Sequence, residues 1–472
     1  MRTTYPVVVQ GGMGVAVSSW LLARAVAVEG QLGVVSGTAL EVVLARRLQD
    51  GDSGGHMRRA LAAFPDQAMA ERALDRYFVS EGRAPGTPYR AVPKLTLKQN
   101  RIGQELAVLG NFVEVWLAKE GHDGVVGINF LEKVQMATPA AALGAIIAGV
   151  DYVLMGAGVP RQIPQLLTDL AAGRAGGVKV DVQGSDQPAR VDIDPGQFFD
   201  VRLAPLRRPR FLAIVSSAVL AAWLARDPMT CPDGFVLEGP LAGGHNAPPR
   251  GRAVLDDDGQ PVYGPRDQFD LKAVAALGLP FWLAGSFGTP ERLAEAQAMG
   301  ACGVQVGTLF ALSQESGITD DLRSQLTQQL TDGDLRVRTD PTASPTGFPF
   351  KIAQLAGTLS DGNVYERRPR FCDIGYLRTP YLSGGGEVGY RCPGEPVRQY
   401  EHKGGARADA AGRQCLCNAL TADVGLGQTR RDGYVEQPLI TLGSDLAAAR
   451  RLVERHPGGW HAAGVVRWLL TG

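Results

Sequence analysis

Neither sign of charge is in excess in this sequence: 48 lysines and arginines stand against 48 aspartates and glutamates. That balance argues against nucleic acid or an anionic membrane as the main partner, because both select basic surfaces. No apolar run of about 18 residues or more occurs, so no membrane-spanning helix is expected. No basic and apolar leader opens the chain, and only six cysteines occur in 472 residues. These absences lead to an expectation of reduced thiols in a soluble cytoplasmic protein. The spaced dinucleotide fingerprint is missing too, since the glycines after the first apolar run read Gly11-Gly12-Met13-Gly14.

What is present is a rhythm. Hydrophobic residues make up 45% of the chain, enough for a sizeable core, and 60 glycines are spread along it. Short apolar runs end in glycine or a small polar residue at 6–10, 33–37, 125–131, 152–155, 211–215, 234–237, 280–284 and 303–306. Near-continuous apolar strands are buried on both faces, as in a parallel sheet. Eight of them with intervening helices predict an α/β fold, a (β/α)8 TIM barrel over residues 1–355. A helical insertion is expected at about 40–118, placed as a cover over one end, and a hairpin insertion at about 177–195. Residues 356–472 form a cysteine-containing C-terminal extension whose last two helices would pack on the barrel or on a second subunit.

In such a barrel the ligand site lies where the strands end, and the glycine motifs fall there. The run Glu238-Gly239-Pro240-Leu241-Ala242-Gly243-Gly244-His245 ends strand six. Its paired glycines let a flat ligand approach the backbone, and His245 can hold or release a proton near neutral pH. Gly285-Ser286-Phe287-Gly288 after strand seven and Gly307-Thr308 after strand eight form the loop pair that binds phosphate in many barrels. A phosphate there would belong to a sugar phosphate or to a flavin mononucleotide. Gly12, Met13, Gly14 and Asn129 leave room for a wide planar ring across the mouth.

On these motifs, with Gly127-Ile128-Asn129 and Gly300-Ala301-Cys302-Gly303-Val304-Gln305-Val306-Gly307-Thr308, the chain resembles the nitronate monooxygenase family, formerly called 2-nitropropane dioxygenases. The resemblance implies an FMN-dependent TIM barrel that oxidises alkyl nitronates with O2 to a carbonyl compound and nitrite. It implies His245 as the catalytic base near the flavin. Cofactor contacts would come from Gly12, Met13, Gly14, Asn129, Gly243, Gly244, Gly285, Ser286, Gln305, Gly307 and Thr308. The motif departs from the family's usual Glu-Ala before Gly-Gly-His, and no lysine ends strand five, where Ser216-Ser217 stand. Lys133 or Lys351 could supply that cation, or be surface charges. Flavin-dependent enoyl-acyl carrier reductases share the architecture; such an enzyme would use NAD(P)H, with Arg250 and Lys133 serving its substrate.

Four cysteines, Cys372, Cys392, Cys415 and Cys417, fall in the extension. They could form a thiolate site for zinc or an iron–sulfur cluster, or be reduced structural residues. Cys231 and Cys302 are expected in the core, and His56, His122, His402, His456 and His461 at the surface, with His56 as the reserve functional histidine. A small-molecule substrate, no metal ligand among the site residues and a homo-oligomer complete the expectations.

Overall fold

A computed structural model describes residues 5–472. The apolar runs become β1 (Val8–Gln10), β2 (Gly33–Ser36), β3 (Val126–Leu131), β4 (Tyr152–Gly156), β5 (Arg210–Val215), β6 (Gly234–Glu238), β7 (Phe281–Ala284) and β8 (Gly303–Val306). All pair in parallel, in the order β1-β8-β7-β6-β5-β4-β3-β2. The ring closes where Gln10 N–H donates to Leu32 O at 2.9 Å and Leu32 N–H to Val8 O at 3.1 Å. The fold is the (β/α)8 barrel.

Alternation along each strand divides its side chains between two cores. Val9, Val34, Leu154, Leu212, Val236 and Trp282 point inward and fill the barrel. The Trp282 indole N–H donates to Pro6 O at 2.8 Å, which satisfies the polar atom of the largest side chain there. Val8, Val35, Ile128, Val153, Phe235 and Val304 belong to the outer core shared with the helices. Burial on both faces is why these runs lack the polar alternation of a one-sided sheet.

Helices Leu40–Gln49 and Arg101–Lys119 do not cap one end of the barrel. They join its outer helices, packing with Trp20–Ala27 and Thr138–Ile147. Glu114 from the long helix accepts from the N–H of Trp20 at 2.9 Å and pairs with Arg47. An antiparallel hairpin, Gly176–Val180 with Ala189–Ile193, lies between β4 and β5. After β8 the chain makes a second hairpin, Val337–Asp340 with Phe350–Ala353.

The last two helices, Ala447–Arg455 and Ala462–Thr471, pack on the barrel. Trp460 donates to Leu309 O at 2.8 Å, and Arg451 pairs with Glu291 at 2.9 Å. Among the described residues no helix is long and apolar enough to cross a membrane.

Candidate active site

The C-terminal mouth of the barrel holds a cavity of about 660 Å³. Gly12, Met13, Gly14, Asn129, Gly243, Gly244, His245, Gly285, Ser286, Gln305, Gly307 and Thr308 all line it. Residues far apart in sequence therefore meet because each follows or ends a barrel strand.

The loop after β1 is tied from beneath. Gln10 donates to Ser18 Oγ at 2.8 Å, and Ser18 Oγ donates to Gly11 O at 2.9 Å and accepts from Met13 N–H at 3.0 Å. Gly12 has a steric reason: a Cβ there would lie 2.3 Å from the Asn129 Cβ. That close approach lets Asn129 donate to Gly12 O at 3.2 Å while its Oδ1 is buried without a partner. Gln305 Oε1 and Ser286 Oγ are likewise buried and unpaired. Buried polar atoms are normally satisfied, so three orphans around one cavity mark places where a polar ligand belongs.

At the strand seven and eight end, Gly285 and Ser286 have φ of 85° and 70°. The serine carries strain that a glycine would not, a feature typical of ligand-binding turns. The N–H groups of Ser286, Phe287 and Gly288 find no acceptor among the described residues. Arg292 also lines the cavity, but it is engaged with Ser286 O at 3.2 Å and lies 4.6 Å over the Phe287 ring.

His245 is half-buried, with Nε2 2.7 Å from Ser344 Oγ and its ring edge-on to Phe350 at 4.8 Å. Its backbone is fixed by the hairpin after β8, since Lys351 N–H donates to Gly244 O at 3.0 Å and Asn246 N–H to Pro349 O at 2.9 Å. Burial, helped by the charge of Lys133, pushes the imidazole down to about 4. The ring is neutral at neutral pH. Glu238, at the end of β6, also lines the cavity, and burial pushes its carboxyl up to about 8.

Several expectations change. Lys351 is neither a surface charge nor a cavity residue: it is 2% exposed and donates to Thr339 Oγ1 at 2.6 Å. Lys133 pairs with Glu132 at 3.3 Å and sits 5.0 Å over Phe348, outside the lining. Arg250 is exposed and bound to Ser216 O and Arg266 O. His56 is half-buried against Trp20 at 4.9 Å, away from the cavity, and His122 is half-buried as well. Cys231 and Cys302 are half-buried rather than fully in the core.

Cys392 and Cys415 are buried, and Cys372 and Cys417 half-buried, close enough for their charges to interact. Asn418 donates to Asp373 Oδ1 at 2.7 Å, which ties the first cysteine segment to the Cys-Leu-Cys segment. Among the described residues no three His, Cys, Asp or Glu side chains are arranged to hold a metal ion.

Sequence patterns missed one wall completely. Leu420, Thr441, Leu442, Gly443, Asp445 and Ala448 of the extension line the cavity. Thr441 Oγ1 accepts from Gly244 N–H, and Thr308 Oγ1 from Gly443 N–H, each at 2.9 Å. No periodicity or motif places this segment there. Glu238 could have been found, because it stands at a strand end in the motif itself.

Fold and cavity define a TIM barrel with a cofactor-sized pocket at the strand C-termini. Residues 210–341, which carry the Gly-Gly-His motif and both phosphate-type loops, match the family model described as nitronate monooxygenase. That family is one of flavin-dependent oxidoreductases. Among curated proteins, the chain is 30% identical over 146 residues to the (3aS,4S,5R,7aS)-5-hydroxy-7a-methyl-1-oxo-octahydro-1H-indene-4-carboxyl-CoA dehydrogenase of Mycobacterium tuberculosis, covering 30% of this chain and 34% of that protein. It is 26% identical over 193 residues to the protein of the same name from Rhodococcus jostii, covering 37% and 47%. The matches thus span less than half the length of these relatives. In structure the chain is similar to the enoyl reductase domain of MlnA from Bacillus amyloliquefaciens, with a TM-score of 0.50, 12% identity, and coverage of 98% of this chain and 92% of that one. That likeness is one of fold.

Proposed function

We propose that the chain is an FMN-dependent oxidoreductase that oxidises alkyl nitronates with O2 to a carbonyl compound and nitrite. The observation that carries this is the cavity at the mouth, where Asn129, Ser286 and Gln305 hold unpartnered buried polar atoms beside glycine-rich turns. FMN fits those donors and acceptors. Gly285, Ser286, Gly307 and Thr308 would hold its phosphate, aided by the free N–H groups of Ser286, Phe287 and Gly288. Gly12, Met13, Gly14, Asn129 and Gln305 would border its ring system, and Gly243 and Gly244 would leave room beside it. When bound, FMN supplies the redox chemistry, taking electrons from the substrate and passing them to O2.

The chain's own work is binding, orientation and proton handling. His245 is neutral at working pH, as a base must be to take the α-proton of a neutral nitroalkane. The tautomer that keeps Nδ1 basic is the one in which Nε2–H donates to Ser344 Oγ. The apolar walls, Phe130, Leu131, Ile214 and Phe350 among them, limit water around that ring.

A second reading, NAD(P)H-dependent reduction of a thioester-linked enoyl group, is favoured by one observation: both curated relatives are named for a carboxyl-CoA substrate. Anaerobic mixing separates the two. Purified protein should be yellow and should bleach on addition of a nitronate. Bleaching by NADH or NADPH alone would overturn the first reading in favour of the second, and a colourless preparation would overturn both.

A further inference from the structure

We propose that Glu238 is the group that recognises the charge of an anionic substrate, its carboxylic acid donating a hydrogen bond to an oxygen of the bound oxyanion. The inference rests on the flavin oxidoreductase reading above and names the chemical class of ligand that its pocket takes.

Position comes first. Glu238 is the last residue of β6, on the cavity wall, seven residues ahead of His245 in the motif. Its carboxyl has no hydrogen bond and no ion pair with any described residue; burial alone sets its acidity. Glu238 is half-buried, whereas fully buried carboxylates in this molecule have protein partners, Glu41 accepting from Tyr376 and Asp423 from Leu439 N–H. Glu114 meets Arg47, Glu105 meets Arg72 at 2.8 Å, and Glu436 meets Arg430. A carboxyl that opens on a ligand cavity and has no protein partner is free to meet one that arrives from outside.

The surroundings specify that partner. The other titratable or charged groups lining the cavity are His245, Arg292 and Asp445. His245 is neutral and Arg292 is occupied by Ser286 O and Glu295. Lys133 and Lys351, the two lysines considered for the flavin edge, are held by Glu132 and Thr339 outside the lining. Among the described lining residues no unpaired cation therefore faces a nitronate, and the charge of Lys133 acts on His245 only from outside the lining. A neutral acid can do so, as a donor with no positive charge to desolvate. Burial keeps Glu238 in that acid form at neutral pH, since its carboxyl sits at about 8. An anion beside it favours the acid further, whereas ionised Glu238 repels the anion.

The test uses the flavoprotein and propionate, which carries the charge and shape of ethylnitronate without the oxidisable centre. Binding is followed by the perturbation of flavin absorbance from pH 6 to 10. In the wild type Kd should be level below about pH 8 and rise roughly tenfold per pH unit above it. E238Q keeps a donor without a titrating proton, so its Kd should lack this break. A level wild-type profile, or an unchanged break in E238Q, would overturn the proposal. A second readout needs no flavin. Glu238 is protonated in the folded state up to about 8 but only to about 4.5 when unfolded, so its burial costs stability increasingly across that window. E238Q should therefore have a higher Tm than the wild type at pH 8, with the difference closing toward pH 4.5. A protein without flavin that shows this Tm difference refutes the cofactor reading alone; bound flavin with no Tm difference refutes the role of Glu238 alone.

Discussion

His245 and Glu238 are pushed in opposite directions by one physical cause. Burial disfavours the charged form of each, so the imidazole falls to about 4 and the carboxyl rises to about 8. Both are therefore neutral between those values. For His245 the folded pKa lies below the unfolded 6.5, so its contribution is complete above about 6.5 and is lost as pH falls toward 4. The slope is about 1.4 kcal/mol per pH unit. Replacing His245 with Gln should flatten that part of the acid limb in urea titrations run from pH 7 to 4. At Gly12 a different force rules. A methyl group 2.3 Å from the Asn129 Cβ must displace that side chain, at a cost of about 1–3 kcal/mol. G12A should thus release flavin at least about fivefold more readily, as read by ultrafiltration, since 1.4 kcal/mol is about tenfold in affinity. The identities of Gly12, Asn129 and His245 were legible from the sequence because strand-end chemistry shows in residue type. Ser344, which holds Nε2, was not, because it stands 99 residues away and only the fold brings it near.

Among the elements, the barrel strands were plain because burial on both faces leaves an apolar run that nothing interrupts. Their helices were harder. Residues 40–118 read as a separate cover, yet helix Arg101–Lys119 lies flush against Thr138–Ile147. That contact depends on Gly144, where a Cβ would come 2.1 Å from Val108 O, and the packing against Leu40–Gln49 depends on Gly110, where it would come 2.5 Å from the Leu40 carbonyl carbon. Single-sequence periodicity shows that a helix has an apolar face but not which helix that face meets. Backbone cannot yield as a side-chain tip can, so G144A should destabilise the protein by at least about 2 kcal/mol despite alanine's better helix propensity. A denaturation midpoint no lower than that of the wild type would show the two helices to be less tightly apposed.

For the whole molecule, the extension proves to be a wall of the cavity. Thr441 and Gly443 bond to Gly244 and Thr308, and a Cβ on Gly443 would lie 3.1 Å from both Leu241 O and Thr308 Oγ1. G443V should push this segment off the Ser286 and Thr308 end of the cavity and weaken flavin binding at least about tenfold while leaving the far-UV circular dichroism unchanged. A chain ending at residue 355 should lose the flavin altogether, because it lacks the wall and bares the surface covered by Trp460. Co-elution of flavin absorbance with either variant measures this. Such a contribution leaves no mark in composition or spacing, because two hydrogen bonds from backbone N–H groups, not a motif, tie the wall to the barrel.

The bond from Gly443 to Thr308 joins positions 135 residues apart. A nascent chain can therefore finish all eight strands on the ribosome and still present only an open trough. Capture of the prosthetic group must wait for translation to deliver the distal segment, so a ribosome stalled before it would hold a barrel with an unfinished mouth.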